Sequence, residues 1–503
     1  MNTFVGLLTL LTLTSTLGAT APQRPNVLFI AVDDLRDWVG YFGHNPQSKT
    51  PNFDRLAKMG LSFTRAYCAS PVCNPSRAAL MSGMRASTTG VYENNIDFRP
   101  LIPADKMLTT AFRGAGYFVH GSGKIYHEAY RRRSEWDDYL EKEGSNPRVP
   151  AGQSDGVGGI KFAKLNCQDE DLADYDIANY GIASLAKKHD KPFFLAVGFH
   201  KPHMPWNVPR KWFDLFPLES IQLPPYLESD LDDLPPAAIR MARPESDHVP
   251  MLKSGRWKEA VQAYLATIAY CDMNLGRLLD ALEKSAYKDN TIICLWGDHG
   301  WHLGEKHHWR KFTLWEEATR SPLIWVVPGL TKPNTVSDRT VDFMSIFPTL
   351  TDLCGIPTPT HNQGGSIRAI LSNPQAAWIQ PALTTYRYKN HTVRTPDWRY
   401  IRYANGDEEL YDERQDPSEW SNLAAKPEFT AKKAELAKFL PIQDVPDPSN
   451  RPGQDSKTGD KPAAKKSGGR LTPAPRRPQR RALRTARRTP ARNQMPPNPR
   501  LRD

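Results

Sequence analysis

Asn26-Val27-Leu28-Phe29-Ile30-Ala31-Val32, closed by Asp33-Asp34, is an apolar run of strand length that ends in two adjacent carboxylates. Apolar residues without alternation are the pattern of a central parallel strand covered on both faces. Adjacent carboxylates repel each other unless a cation neutralises them, so a hard-metal site is the natural explanation; a helix cap or an exposed turn is the plainer one.

Working outward, the same pattern recurs. Tyr117 to Ser122 reads as a strand running into Gly123-Lys124, with His127 just beyond. Pro192 to Phe199 is a third strand and ends in His200-Lys201-Pro202-His203-Met204-Pro205, a polar loop stiffened by prolines. Asn290 to Trp296 is a fourth and ends in Gly297-Asp298-His299-Gly300, with Lys311 in the loop that follows Trp309. Pro322 to Val327 is one more apolar strand. Helical patterns lie between them, among them Thr50 to Ala57, with Pro51 just inside its start, and the long run Trp257 to Glu283. Strands alternating with helices give an α/β doubly wound core, in which chemistry gathers at the carboxyl ends of parallel strands. Each motif alone has an ordinary reading as a turn or surface loop. Their coincidence at strand ends favours a site.

Cys73-Asn74-Pro75-Ser76-Arg77 and the apolar residues after it read as the start of a helix. Free N–H groups at a helix start favour an anion, and Arg77 adds positive charge one turn in. A cysteine held there is expected to have a lowered pKa and to be reactive. The plain alternative is a helix start with a buried cysteine.

The 503 residues suffice for a large core with a smaller part attached. The net charge of +11 belongs to the tail, since Arg451 to Asp503 hold 16 Lys and Arg against three Asp. The remainder is close to neutral, which argues against nucleic acid as a specific partner. The tail itself, rich in Pro, Arg, Lys and Ala, reads as disordered and solvated. Phe4 to Leu17, followed by Ala19-Thr20-Ala21, reads as a secretory segment with its cleavage site, although no Lys or Arg precedes it. Export is therefore expected, to a periplasmic, extracellular or lysosome-like compartment. No later stretch is long and apolar enough to span a bilayer. The six cysteines are scattered, without the spacing of a zinc site or a disulfide scaffold. From Ala382 short strands with turns such as Asn405-Gly406-Asp407 suggest a small antiparallel sheet, followed by a helix from about Pro427 to Phe439. The expected division is a signal peptide (1–21), a catalytic α/β domain (22–375), a C-terminal α+β subdomain (376–445) and the basic tail (446–503).

In combination these motifs resemble the type I, formylglycine-dependent sulfatases from Pro25 to about Leu440. The wording of Asp34-Leu35-Arg36, Gly198-Phe199-His200-Lys201-Pro202-His203 and His299-Gly300-Trp301 is most similar to the iduronate-2-sulfatase branch. Arg394-Thr395, Trp398-Arg399-Tyr400 and Glu409-Leu410-Tyr411-Asp412 resemble the C-terminal subdomain of many sulfatases. The resemblance implies an alkaline-phosphatase-like mixed sheet flanked by helices. It implies that a maturation enzyme converts Cys73 to formylglycine, and that one hydroxyl of the hydrated aldehyde attacks sulfur while the second expels sulfate.

Asp33, Asp34, Asp298 and His299, with the modified Cys73, would hold one divalent cation, Ca²⁺ sooner than Mg²⁺. Lys124 and Lys311 would neutralise the sulfuryl oxygens, His203 would protonate the leaving oxygen, His127 would assist the diol and Arg77 would hold it. The implied substrate is a sulfated saccharide such as a 2-O-sulfated uronic acid, with Lys201 placed to read its carboxylate. A phosphatase or phosphonate hydrolase of the same superfold, and a non-catalytic glycan-binding relative, are the alternatives.

Overall fold

The computed structural model describes residues 24–448, apart from 128–129, 144–146, 148 and 152. The segment expected to be a signal peptide (1–21) and the part of the expected basic tail beyond 448 lie outside the described residues. The main sheet has eight strands: β1 (Asn26–Val32), β2 (Leu61–Phe63), β3 (Phe118–Gly123), β4 (Asp138–Tyr139), β5 (Phe193–Phe199), β6 (Thr291–Gly297), β7 (Leu323–Val326) and β8 (Thr335–Ser337). Their spatial order is β8-β2-β7-β6-β1-β5-β3-β4. The five strands from β6 to β4 run parallel, whereas β7 is antiparallel to β6 and β2 is antiparallel to β7. The sheet is therefore mixed, with its parallel part at the centre.

The helices that cover it are α1 (Pro51–Met59), α2 (Cys73–Ser82), α3 (Ala173–Ala186), α4 (Trp257–Lys284) and α5 (Ile346–Leu353). Strand β1 shows why its sequence does not alternate. Leu28, Ile30 and Val32 enter one apolar cluster with Ile177 of α3 and Leu265 of α4. Val27, Phe29 and Ala31 enter a second with Leu80 of α2 and Phe347 of α5. Both faces are dry, so every position is apolar.

Register then sets the motifs level with one another. Val32 pairs with Gly297 on one side and with Phe199 on the other, and Gly123 pairs with Gly198. The next residues, Asp33, Asp298, His200 and Lys124, emerge side by side. Glycine is needed at the β3–β5 crossing. A Cβ on Gly123, which has φ +72°, would lie 2.0 Å from the Gly198 carbonyl oxygen, and one on Gly198 would lie 2.5 Å from the Lys124 backbone.

Behind the site, His120 of β3 is buried among Phe118, His189 and Phe193. Burial, aided by His189, pushes its pKa down to about 3. Between that value and the ordinary 6.5 the unfolded chain binds a proton that the folded chain refuses. Stability falls as pH drops through this window, by up to about 1.4 kcal/mol per pH unit. His120→Phe should flatten the decline of melting temperature between pH 7 and pH 4. An unchanged slope would count against the assignment.

The C-terminal strands β9 (Ala382–Thr385), β10 (His391–Arg394), β11 (Trp398–Arg402) and β12 (Glu408–Asp412) form an antiparallel meander, followed by α6 (Thr430–Ala437). The meander is bound to the segment before α2: Thr384 Oγ1 donates to the Cys68 carbonyl at 2.5 Å and Thr385 N to the Ala69 carbonyl at 3.0 Å. Buried Glu316 faces Arg394, 3.2 Å from Nε, and Arg399 of the meander. All six cysteines are free thiols.

Candidate active site

Helix α2 begins at Cys73, two residues before Pro75, and all ten of its residues are buried. Pro75 thus occupies the third helical position, where the missing N–H is one of those that no helical carbonyl would receive. Asn74 ties this start in place: its N–H donates to Asn94 Oδ1 at 2.9 Å and its Nδ2 to the carbonyls of Glu93 and Ile96. Ser76 Oγ donates to the Asp298 carbonyl at 2.6 Å, which draws the helix onto the end of β6.

One ligand atom from each of Asp33, Asp34, Cys73, Asp298 and His299 falls within 4.8 Å of all the others. Asp34 stands in the left-handed region, φ 58°, with its N–H on Asp298 Oδ1 at 2.9 Å. Tyr264 of α4 supports that conformation, its hydroxyl donating to the Asp34 carbonyl at 2.8 Å and accepting the Arg36 N–H at 3.0 Å. His299 Nδ1 donates to the Gly300 carbonyl at 3.0 Å, which leaves the Nε2 lone pair facing Asp34, Asp298 and Cys73 at 3.3 to 3.5 Å. Asp34 Oδ2 is buried without a hydrogen-bond partner. A predominantly oxygen donor set with one free imidazole nitrogen and an unsatisfied carboxylate oxygen fits a divalent cation.

Cations ring this cluster. Lys124 Nζ lies 2.5 Å from Asp33 Oδ2, and Lys311 Nζ lies 2.6 Å from Asp34 Oδ1 and 3.0 Å from Cys73 Sγ. Arg77 spends its guanidinium on Asp298 at 2.9 Å, on Asp33 at 3.2 Å and on the carbonyls of Lys124 and Ile125. The hydrogen-bond partners of Cys73 Sγ are Asp34, His299 and Lys311, so Arg77 orients the carboxylates and does not bond to that sulfur. Burial works to raise the Asp33 and Asp34 carboxyls. For Asp33, Lys124 leads the groups that outweigh it and hold the pKa well below the usual range; for Asp34, His203 and Lys311 outweigh it and lower the pKa. Burial dominates at Asp298, whose pKa is raised despite Arg77 and His299.

Two expectations are corrected. The helix start was expected to lower the pKa of Cys73, but the side chain is fully enclosed and burial pushes the thiol up, against Lys124 and Lys311. As a thiol, Cys73 is protonated and inert at neutral pH. Lys201 was expected to face substrate, yet it is buried and its Nζ donates to the Pro205 carbonyl of its own loop at 2.6 Å. Burial lowers its pKa to about 8. The loop is anchored further by Asp174 of α3, which accepts the N–H groups of His200 and Lys201 at 2.7 and 2.8 Å.

That anchoring sets His203, whose Nδ1 meets the Met204 carbonyl and whose Nε2 stands 3.8 Å from Asp34 Oδ2. Burial brings its pKa down to about 4. His127 also has a pKa of about 4, from burial and then Lys124, and its Nδ1 is buried without a partner. Asp174, Tyr264 and Asn94 escaped the sequence reading because each looks like an ordinary helix or loop residue.

The sulfatase family model matches residues 25–356, and a model described as N-sulphoglucosamine sulphohydrolase, C-terminal, matches residues 304–444. A sulfatase of Formosa agariphila is 40% identical over 446 residues, spanning 83% of this chain and 87% of the relative. Human (Homo sapiens) iduronate 2-sulfatase is 32% identical over 385 residues, 66% of this chain and 70% of that protein. The phosphonate monoester hydrolase of Agrobacterium radiobacter shares the fold, with a TM-score of 0.72 at 22% identity over 82% of this chain and 94% of that one. Two family models that together span residues 25–444, and a relative matched over most of its length, place the chain in the sulfatase family of sulfuric ester hydrolases.

Proposed function

We propose that the protein hydrolyses sulfate esters on glycans, 2-O-sulfated uronic acids in particular, using formylglycine made from Cys73. One divalent cation, Ca²⁺ before Mg²⁺, would be held by Asp33, Asp34, Asp298, His299 and the modified residue. The observation that carries this reading is the convergence on Cys73 Sγ of a cation-ready donor set and the ammonium of Lys311, with Lys124 on the neighbouring carboxylate. Similarity to an iduronate 2-sulfatase supports the choice of sugar.

The Cys73 Sγ stands where an oxygen of the hydrated aldehyde would be, and that diol would supply one oxygen as the nucleophile that takes the sulfuryl group and a second hydroxyl whose loss of a proton expels sulfate and restores the aldehyde. A divalent cation, when bound, supplies positive charge to a sulfate oxygen and acidifies the attacking hydroxyl. The chain's own residues do the rest. Lys124 and Lys311 keep their charge, because Asp33 and Asp34 offset the effect of burial, and so present fixed positive charge to the sulfuryl oxygens. Arg77 locks Asp33 and Asp298 in the orientation the donor set needs. His203, at the rim, is the proton donor to the leaving oxygen; an arriving anion opposes the burial that keeps it neutral. His127 handles the proton of the diol from the Lys124 side.

An exported chain with a maturation enzyme as its partner completes this reading, with residues 1–21 as signal, 22–375 as catalytic domain, 376–445 as C-terminal subdomain and 446–503 as a tail without a catalytic part. No helix among the described residues is long and apolar enough to cross a membrane. The test is turnover of 4-nitrophenyl sulfate against 4-nitrophenyl phosphate and a phenyl phosphonate ester, followed by a panel of sulfated disaccharides. Sulfate should be preferred, and a 2-O-sulfated uronate should exceed the other sugars. A preference for phosphonate, or release from hexosamine sulfates alone, would overturn the assignment.

A further inference from the structure

The β9–β10 turn has two sides, and only one belongs to the site described above. On that side, the Tyr386 ring lies 6.3 Å from the ring of Phe312, the neighbour of Lys311. Arg387 pairs with Glu93 at 2.5 Å, and the Glu93 carbonyl accepts Asn74 Nδ2 beside Cys73. On the other side the same turn borders a cavity of about 570 Å³, lined among others by Tyr388, Lys389, His391, Arg402, Tyr403 and Asp444. Tyr386 and Lys389 are three residues apart, at most roughly 10 Å along the chain. We propose that this cavity is a second saccharide subsite, which receives an acidic sugar unit further along the chain whose terminal sulfate sits at Cys73. The proposal rests on the glycan reading of the active site.

The cavity is a built feature. Its 441–444 wall is pinned by Val445, whose N–H donates to the Ser87 carbonyl at 2.8 Å and whose carbonyl accepts the Tyr92 hydroxyl at 2.7 Å. Tyr92 in turn packs edge-on against Tyr388 at 6.1 Å. Arg402 and His391 are cross-strand partners, so the sheet itself fixes their spacing.

Its chemistry is that of a charged sugar. Among the described residues neither the Lys389 nor the Arg402 side chain makes a hydrogen bond or a close ion pair; Lys389 Nζ sits 5.1 Å from the Tyr388 ring centre, and Arg402 acts on Glu408 only at longer range. Glu408, opposite Arg402 on β12, is already paired with Lys433 at 2.7 Å. Two cations whose side chains make no hydrogen bond or close ion pair, lining one polar cavity, favour a sulfate or carboxylate. The single lining carboxylate, Asp444, has Oδ2 on His391 Nε2 at 3.2 Å and a buried Oδ1 with no partner. That oxygen is an acceptor for a sugar hydroxyl. Tyr388 and Tyr403 supply ring surface beside these groups, and the volume lies within the range of small-molecule sites.

Lys389→Ala/Arg402→Ala tests the subsite on the full, matured enzyme, with 4-nitrophenyl sulfate and a heparin-derived disaccharide and tetrasaccharide of like terminal unit as substrates. The KM for the tetrasaccharide should rise about tenfold with kcat unchanged, since two charge-assisted contacts are lost. The KM for the aryl sulfate should not move, and added salt should shrink the difference on the tetrasaccharide. Equal KM values in variant and wild type, or an equal rise on all three substrates, would overturn the subsite. Calorimetric titration with the tetrasaccharide provides a measure independent of turnover, in which weaker binding by the variant supports the proposal and equal binding refutes it. Failure of wild type to cleave any heparin fragment counts against the substrate reading alone. Neither side chain holds the fold together by a bond, so the melting temperature should stay put, and each single variant serves if the double one does not fold.

Discussion

Cys73→Ala will abolish sulfate-ester hydrolysis, by roughly a millionfold if the residue is the sole nucleophile, while leaving the protein folded. The fold should tolerate the change because α2 is held by Asn74, Ser76 and Arg77 and by the apolar residues after them, not by the sulfur. Lys311 keeps Asp34 as its partner when Sγ is removed. Deleting one buried atom at this position should cost about 1 kcal/mol, a shift of a few degrees at most. The thiol itself is a poor nucleophile, since burial raises its pKa above the ordinary value. An unconverted wild-type preparation should therefore be as inactive as the variant. Peptide mass spectrometry across Cys73 should find CH₂SH replaced by CHO in active material, and a hydroxylamine-type aldehyde probe should label wild type alone. Full turnover by a preparation whose Cys73 is wholly thiol would refute the maturation step.

The sequence made the site legible where chemistry and topology coincide. Asp33-Asp34, Lys124, the His200–His203 loop and Asp298-His299 each follow an apolar run, the pattern of a strand covered on both faces. Once β1, β3, β5 and β6 pair in register, their ends are neighbours without further assumption. The antiparallel entry of β7 and β2 was not legible, because an apolar strand reads the same in either direction.

Electrostatics was less legible than position. Cys73 has the helix start, Arg77 and nearby lysines that lower a thiol's pKa in the open, but enclosure reverses the outcome, and that enclosure comes from the tertiary fold, which brings Asp34, His299 and Lys311 onto the sulfur. Lys201 failed for the same reason. Its proline-stiffened loop is real, yet Asp174 draws the backbone inward and leaves the ammonium on Pro205. Tyr264 could not have been found from the periodicity of α4, which marks it as one more core position. Only the tertiary fold shows its hydroxyl holding a left-handed Asp34.

Asp298→Asn is expected to remove both turnover and the response to calcium, and it separates the cation's role from that of the nucleophile. In wild type, a cation at a hundred times its Kd should stabilise the folded protein by about 2.7 kcal/mol, visible as a rise in melting temperature that EDTA reverses. The substitution preserves shape and an oxygen to accept the Asp34 N–H, so the backbone of the site should persist. It removes the charge that Arg77 Nε meets at 2.9 Å and that the donor set contributes to a cation. Arg77 then retains Asp33 and two carbonyls, which limits the loss of stability without the cation. The calcium-dependent rise in melting temperature should vanish and kcat/KM should fall by about a thousandfold, while the aldehyde probe continues to label the variant. A variant that keeps the calcium-dependent shift would show that Asp298 is not a ligand. One that loses the shift but keeps its turnover would show that the cation at these strand ends is structural and takes no part in the reaction.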